Sequence, residues 1–178
     1  DETTKIDIEI DLIHTAVRRY LNRMTLDRLN PLQLTRWHRI MLSTIHLEHA
    51  GDILERNLRR LSTRIRNHGL VFSSRQVDVL VDLLDRLSVL LKLRTSSLVS
   101  FHSEVSEELS RLHAQFNSSV MNSMDEYIRS AAGAGVEPLS GADSVYFDLV
   151  SDLQHMARLL MGRTGDPVLT ESIAFVPA

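Results

Sequence analysis

Cysteine is absent from the 178 residues, which excludes disulfides, thiolate metal sites and cysteine nucleophiles. Any metal would have to be held by oxygen or imidazole. No run approaches the roughly 18 consecutive apolar residues of a membrane span, and the N-terminus lacks the pattern of a secretory leader. Strand signals are missing too, with neither sustained period-two alternation nor an Asn-Gly or Asp-Gly hairpin turn. Glycine (7) and proline (4) are scarce and aromatics make up 5%. Lysine occurs only at Lys5 and Lys92. With a net charge of −3, the long-range field does not favour a polyanion, and no nucleic-acid partner is expected.

What is present is helix. Apolar residues at 43% and charged residues at 24% are the composition of a helix-rich globular chain. Ile6, Ile10, Ile13, Val17, Leu21 and Met24 recur at three and four residues and predict a first helix ending near "DRLNP". Pro31 opens the second, whose pattern runs from Leu34 through Trp37, Ile45 and Leu54 to Ile65, with a stop at Gly69. Its length of about 35 residues corresponds to about 50 Å. "SSRQ" reads as a capping box, Ser73 with Gln76, that starts a third helix; the polar Thr95–Ser97 stretch is expected to bend or end it. The fourth runs from Phe101 to Tyr127, "SAAGAGVEPLSGAD" is a loop, and the fifth spans about 143–161. An irregular tail, 162–178, is expected to follow. The fold class is therefore all-α, an antiparallel bundle of long helices in one domain.

Acidic residues on two of these helices need partners. Glu48, Asp52 and Glu55 fall within roughly 60° on the helical wheel, flanking the apolar stripe. His46 and His49 face the other way and read as a solvated face. Carboxylates four residues apart repel unless a cation lies between them, either an arginine or an oxygen-ligated metal. Asp148 and Asp152 repeat the spacing on the fifth helix, with His155 one turn on. Asp152 projects inside the apolar arc, so it is expected to be at least half buried and paired with arginine or metal. Both acidic pairs are offset by the same 100 residues, as two structural repeats would place them.

"HLEHAGDILERNL" resembles the acidic signature helix of the PhoU family, particularly the PhoU-like domain fused C-terminally to sodium-dependent phosphate cotransporters. Gly51-Asp52 and Glu48 stand at the matching positions. "FDLVSDLQHM" resembles that family's closing helix through Asp148-Leu149 and Asp152-Leu153, although no Gly precedes Asp152 and Ser151 stands where Arg is usual. The resemblance implies two repeated three-helix bundles, here 1–69 and 73–161, with the first helix of the first bundle missing or upstream of Asp1. It also implies a metal site on Glu48, Asp52, Asp148 and Asp152, with Glu55 and His155 peripheral, holding iron or zinc in some relatives. The implied function is non-enzymatic: a regulatory or scaffolding domain on the cytoplasmic side of the inner or plasma membrane, linked to phosphate uptake. Its partners would be a fused or associated membrane transporter domain, a signalling protein or a second copy.

Three other readings compete. A free-standing PhoU-like metal-binding regulator of phosphate signalling would show a start codon close upstream. A ferritin-like carboxylate dimetal protein needs Glu-x-x-His motifs, and only Asp152-x-x-His155 approximates one. A histidine phosphotransfer bundle would use an exposed histidine such as His49, but wants a nearby lysine. No glycine-rich phosphate loop or Ser/His/Asp grouping is present. Finally, Arg56, Arg59, Arg60, Arg64 and Arg66 read either as a solvated helix end near the favourable pole of the dipole or as a face for anionic lipid headgroups.

Overall fold

A computed structural model describes residues 2–99, 103–133 and 140–162. Among them every regular element is helical. The elements are α1 (Glu2–Asn22), a 3₁₀ turn (Leu26–Arg28), α2 (Pro31–Ile53), a π turn (Leu54–Leu58), α3 (Arg59–His68), α4 (Ser74–Val99), α5 (Ser103–Gly133) and α6 (Gly141–Met161). The all-α bundle read from the sequence is the observed class. The long second helix is there as well, as α2 and α3 joined through the π turn.

Local chemistry explains the boundaries. Asn30 caps α2 in a reciprocal box with Gln33, at 2.9 and 3.0 Å, with Pro31 at the first helical position. At the other end of the rod Gly69 takes φ 59°, and the Leu70 amide donates to the Ile65 carbonyl at 3.0 Å, closing the helix in the six-to-one pattern that favours glycine. The Ser73 box with Gln76 forms as expected, and Ser140 forms a second one with Asp143. Gln76 Nε2 then donates to Asp143 Oδ1 at 2.9 Å, so the caps of α4 and α6 are stitched together. Burial alone would push the Asp143 carboxyl up; hydrogen bonds from Ser140, Tyr127 and Gln76 outweigh it and hold the group below its ordinary value.

The Thr95–Ser97 stretch lies in the last turn of α4, which runs to Val99. Thr95 and Ser96 donate to carbonyls one turn back and Ser97 donates to the Arg94 carbonyl at 2.7 Å, so their hydroxyls are satisfied within the helix. One expectation requires correction. The Gly- and Ala-rich loop is shorter than its composition suggests: α5 continues to Gly133 and α6 starts at Gly141. The expected irregular tail, apart from Gly162, lies outside the described residues.

α1 runs antiparallel to α2, and α5 antiparallel to both α4 and α6. α4, α5 and α6 form a closed three-helix bundle around Leu83, Leu90, Phe116, Val120 and Val150, each no more than 2% exposed. α1 and α2 form only a pair, held at one end by Trp37 Nε1 donating to the Leu21 carbonyl at 3.0 Å. α2 and α3 pack antiparallel along α6, since Asn57 meets Asp152 while Arg64 meets Asp148. Between α2 and α4, Arg39 and Arg94 are buried. Their Nη2 atoms donate to the Ser97 carbonyl and the Ser43 hydroxyl, both at 2.8 Å, tying α2 to α4.

Candidate functional site

Four acidic side chains carry the sequence-derived site, and the fold gives each a different neighbour. Asp52 pairs with Arg56 one turn on, and Glu55 with Arg59. Asp148 receives Arg64 from α3 at 3.3 Å, and the same guanidinium reaches Ser144. Asp152 is partly buried, as expected. The side chain that meets it is not an arginine: Asn57 Nδ2 donates to its Oδ1 at 2.9 Å. Glu48 meets only the exposed ring of His49, at 3.6 Å, among its ion-pair contacts. His155 is exposed.

The helical wheel places these residues too simply, for a local reason. The π turn at Leu54–Leu58 widens the helix within the motif, so azimuths counted at 100° per residue run ahead of the true ones beyond Ile53. Asn57 lies inside that turn and is the residue that reaches α6. Among the described residues, no three His, Asp or Glu side chains converge on one point. An iron or zinc site built on Asp52 and Asp148 would have to displace Arg56 and Arg64, so the donor set as arranged does not fit a metal. His46 is partly buried, not on a solvated face, while His49 is exposed. In the arginine cluster, three of the five guanidiniums are committed to carboxylates of the fold.

The feature that sequence reasoning missed is a groove. An apolar cleft of about 610 Å³ runs between α1 and α4, with α2 as its floor and the last turns of α6 at one side. Ile10, Ile13 and Val17 line one wall and Leu84, Leu87 and Leu91 the other. From Leu84 to Leu98 it extends for about 21 Å along α4. Gly51 of α2 lies on the floor, where the Ile10 side chain comes to 3.6 Å of the position a Cβ would occupy. Two titratable groups interrupt this lining on the α1–α2 side. Glu48 reaches the groove, and so does His14, whose Nε2 is buried with no hydrogen-bond partner. His14 follows Ile10 by four residues, within the apolar stripe of α1, and that was its only signal in the sequence.

Compared with protein-family models, with curated proteins and with solved structures, the chain matches none. No described helix is long and apolar enough to cross a membrane.

Proposed function

We propose that the chain is a PhoU-like regulatory and scaffolding domain that acts, without catalysis, on sodium-dependent phosphate cotransport from the cytoplasmic side of the membrane. The observation that supports this reading most is the seam between α2–α3 and α6. Two helices bearing acidic pairs 100 residues apart lie antiparallel against each other, which is the relation expected of the equivalent third helices of two repeats. Asp148 and Asp152 are engaged across the seam by Arg64 and Asn57, while Asp52 pairs with Arg56 within its own helix.

The test is functional and uses the whole chain. In cells carrying a sodium-driven phosphate cotransporter, expression of this chain should change sodium-dependent uptake of radiolabelled phosphate and should co-fractionate with the transporter. Unaltered uptake together with purely soluble behaviour in the presence of the transporter would remove the proposal.

A further inference from the structure

The groove is the middle of a longer apolar surface. On α1, Ile6, Ile10, Ile13, Val17 and Tyr20 follow one another at alternating steps of four and three residues. On α4, Val77, Val81, Leu84, Ser88 and Leu91 do the same, with Ser88 as the polar member. Ile10, Ile13, Val17, Leu84, Ser88 and Leu91 line the groove. The outer members stay open beyond it: Ile6 is 52% exposed, Tyr20 68%, Val77 44% and Val81 52%. Either seam runs for about four turns, or about 21 Å.

The two walls point the same way. α2 is antiparallel to α1, since Trp37 meets Leu21 while Gly51 meets Ile10. It is antiparallel to α4 as well, since Arg39 meets Ser97 while Ser43 meets Arg94. Apolar positions at heptad spacing on two parallel helices are a receiving surface for the side chains of a further helix. A small apolar molecule held in the cleft would leave Ile6, Tyr20, Val77 and Val81 in water. A helix of about 15 residues covers them.

The margins of the groove give the occupant its charge. On the helical wheel Glu9 falls beside Ile13 and Tyr20, on the open margin of α1, and Asp78 and Asp85 lie on the open margin of α4, away from buried Leu83 and Leu90. All three carboxylates are exposed. Among the described residues none of them is in an ion pair, whereas Asp82, on the far side of α4, is paired with Arg86. On the floor, Glu48 reaches the groove with only the exposed His49 ring among its ion-pair contacts. Lys92 bears the opposite charge at the other end of the α4 seam.

We infer that this surface docks a basic amphipathic helix of another protein. Its apolar residues, at three-and-four spacing, face the groove, and Lys or Arg flanks them at the end beside Glu9, Asp78 and Asp85, the helix-in-groove mode with complementary charge. The same carboxylates would repel an anionic bilayer surface. The groove has this chemistry whatever process the domain regulates.

Two synthetic peptides of about four helical turns, with the same leucine seam but flanked by lysine in one and glutamate in the other, test the assignment by fluorescence anisotropy with the full chain. The lysine peptide should bind about tenfold or more tightly than the glutamate peptide. It should surpass by as much a lysine peptide of the same composition whose seam is scrambled. Glu9→Lys with Asp85→Lys should reverse the preference between lysine and glutamate flanks. Glu107→Lys with Asp125→Lys, the same change of charge at exposed positions of α5, should leave it in place. Ile13→Asp, at a side chain already 64% exposed, should abolish binding at unchanged helicity. Equal affinity for the three peptides, or a preference that the Glu9 and Asp85 exchange does not move, would overturn the assignment. So would a dimer in sedimentation equilibrium that Ile13→Asp dissociates, which would give the groove to a second copy.

Discussion

The guanidinium of Arg39 donates from Nη2 to the main-chain carbonyl of Ser97 at 2.8 Å, in a buried position. Ser97 lies in the last turn of α4 (Ser74–Val99), where carbonyls have no partner within their own helix and positive charge is favoured. A side chain of α2 thus completes the end of α4. Arg39→Ala should cost about 1.5–3 kcal/mol, the range for a hydrogen bond to a charged group with a buried acceptor left behind. Urea denaturation measures it, and hydrogen exchange should show faster opening of the last turn of α4. A loss under about 0.5 kcal/mol would mean that water takes over the carbonyl.

Asp152 and Asn57 form one of the polar contacts across the seam with α6, at 2.9 Å. Asp152→Ala should destabilise by about 1–2 kcal/mol, and Asp152→Asn by less, since an amide oxygen still accepts from Asn57. If the two variants cost the same, the carboxylate acts through its charge and not through this bond.

Gly51 is helical, buried and free of backbone strain, and an added methyl would meet Ile10 at ordinary contact distance. Gly51→Ala is therefore expected to raise stability by about 0.5–1 kcal/mol through helix propensity. A fall in melting temperature would show instead that α1 and α2 need the closer approach.

pH dependence has a definite sign. Burial, with a smaller contribution from the charge of Arg158, lowers the pKa of His113 from 6.5. A folded-state value below the unfolded one means the unfolded chain binds more protons. The contribution of His113 is thus present above about pH 6.5 and is lost as pH falls through its lowered value. Asp143, also lowered, acts in the same direction further into acid, below the ordinary carboxylate range near 3.8. Denaturation series across mildly acid pH should show stability rising with pH, and His113→Gln should flatten the rise.

Chelation bears on the acidic pairs. Since Asp52 and Asp148 are occupied by Arg56 and Arg64, purified protein is expected to keep its melting temperature in EDTA. A metal bound only to the folded state would add RT ln(1 + [L]/Kd), and stripping it would lower the melting temperature. Elemental analysis that finds about one or more equivalents of iron or zinc per chain, abolished by Asp52→Ala, would overturn the expectation.

The elements were legible in the sequence because their signals are short-range. Three-and-four periodicity, the Pro31 start, the Ser73-Gln76 box and Gly69 all act within a turn or two of chain, and each appears as expected. Where local reading failed, neighbours decided the outcome. His46 reads as part of a solvated face, yet packing leaves it partly buried. Of the candidate site, the burial of Asp152 was legible from the wheel. Its Asn57 partner was not, because the π turn shifts the phase of the helix at the motif itself.

The sequence by itself determined an all-helical chain, the register of its amphipathic faces and the caps that start and stop its helices, since these depend on backbone geometry and side chains a few residues apart. Only the tertiary structure decided that Arg39 and Arg94 are interior, that each carboxylate of the acidic pairs takes its own partner, and that α1 and α4 stand apart around an open apolar groove. Those outcomes depend on which helix faces which over separations of 50 to 100 residues. At that range one arginine or leucine looks like another in the sequence, and packing selects which is buried.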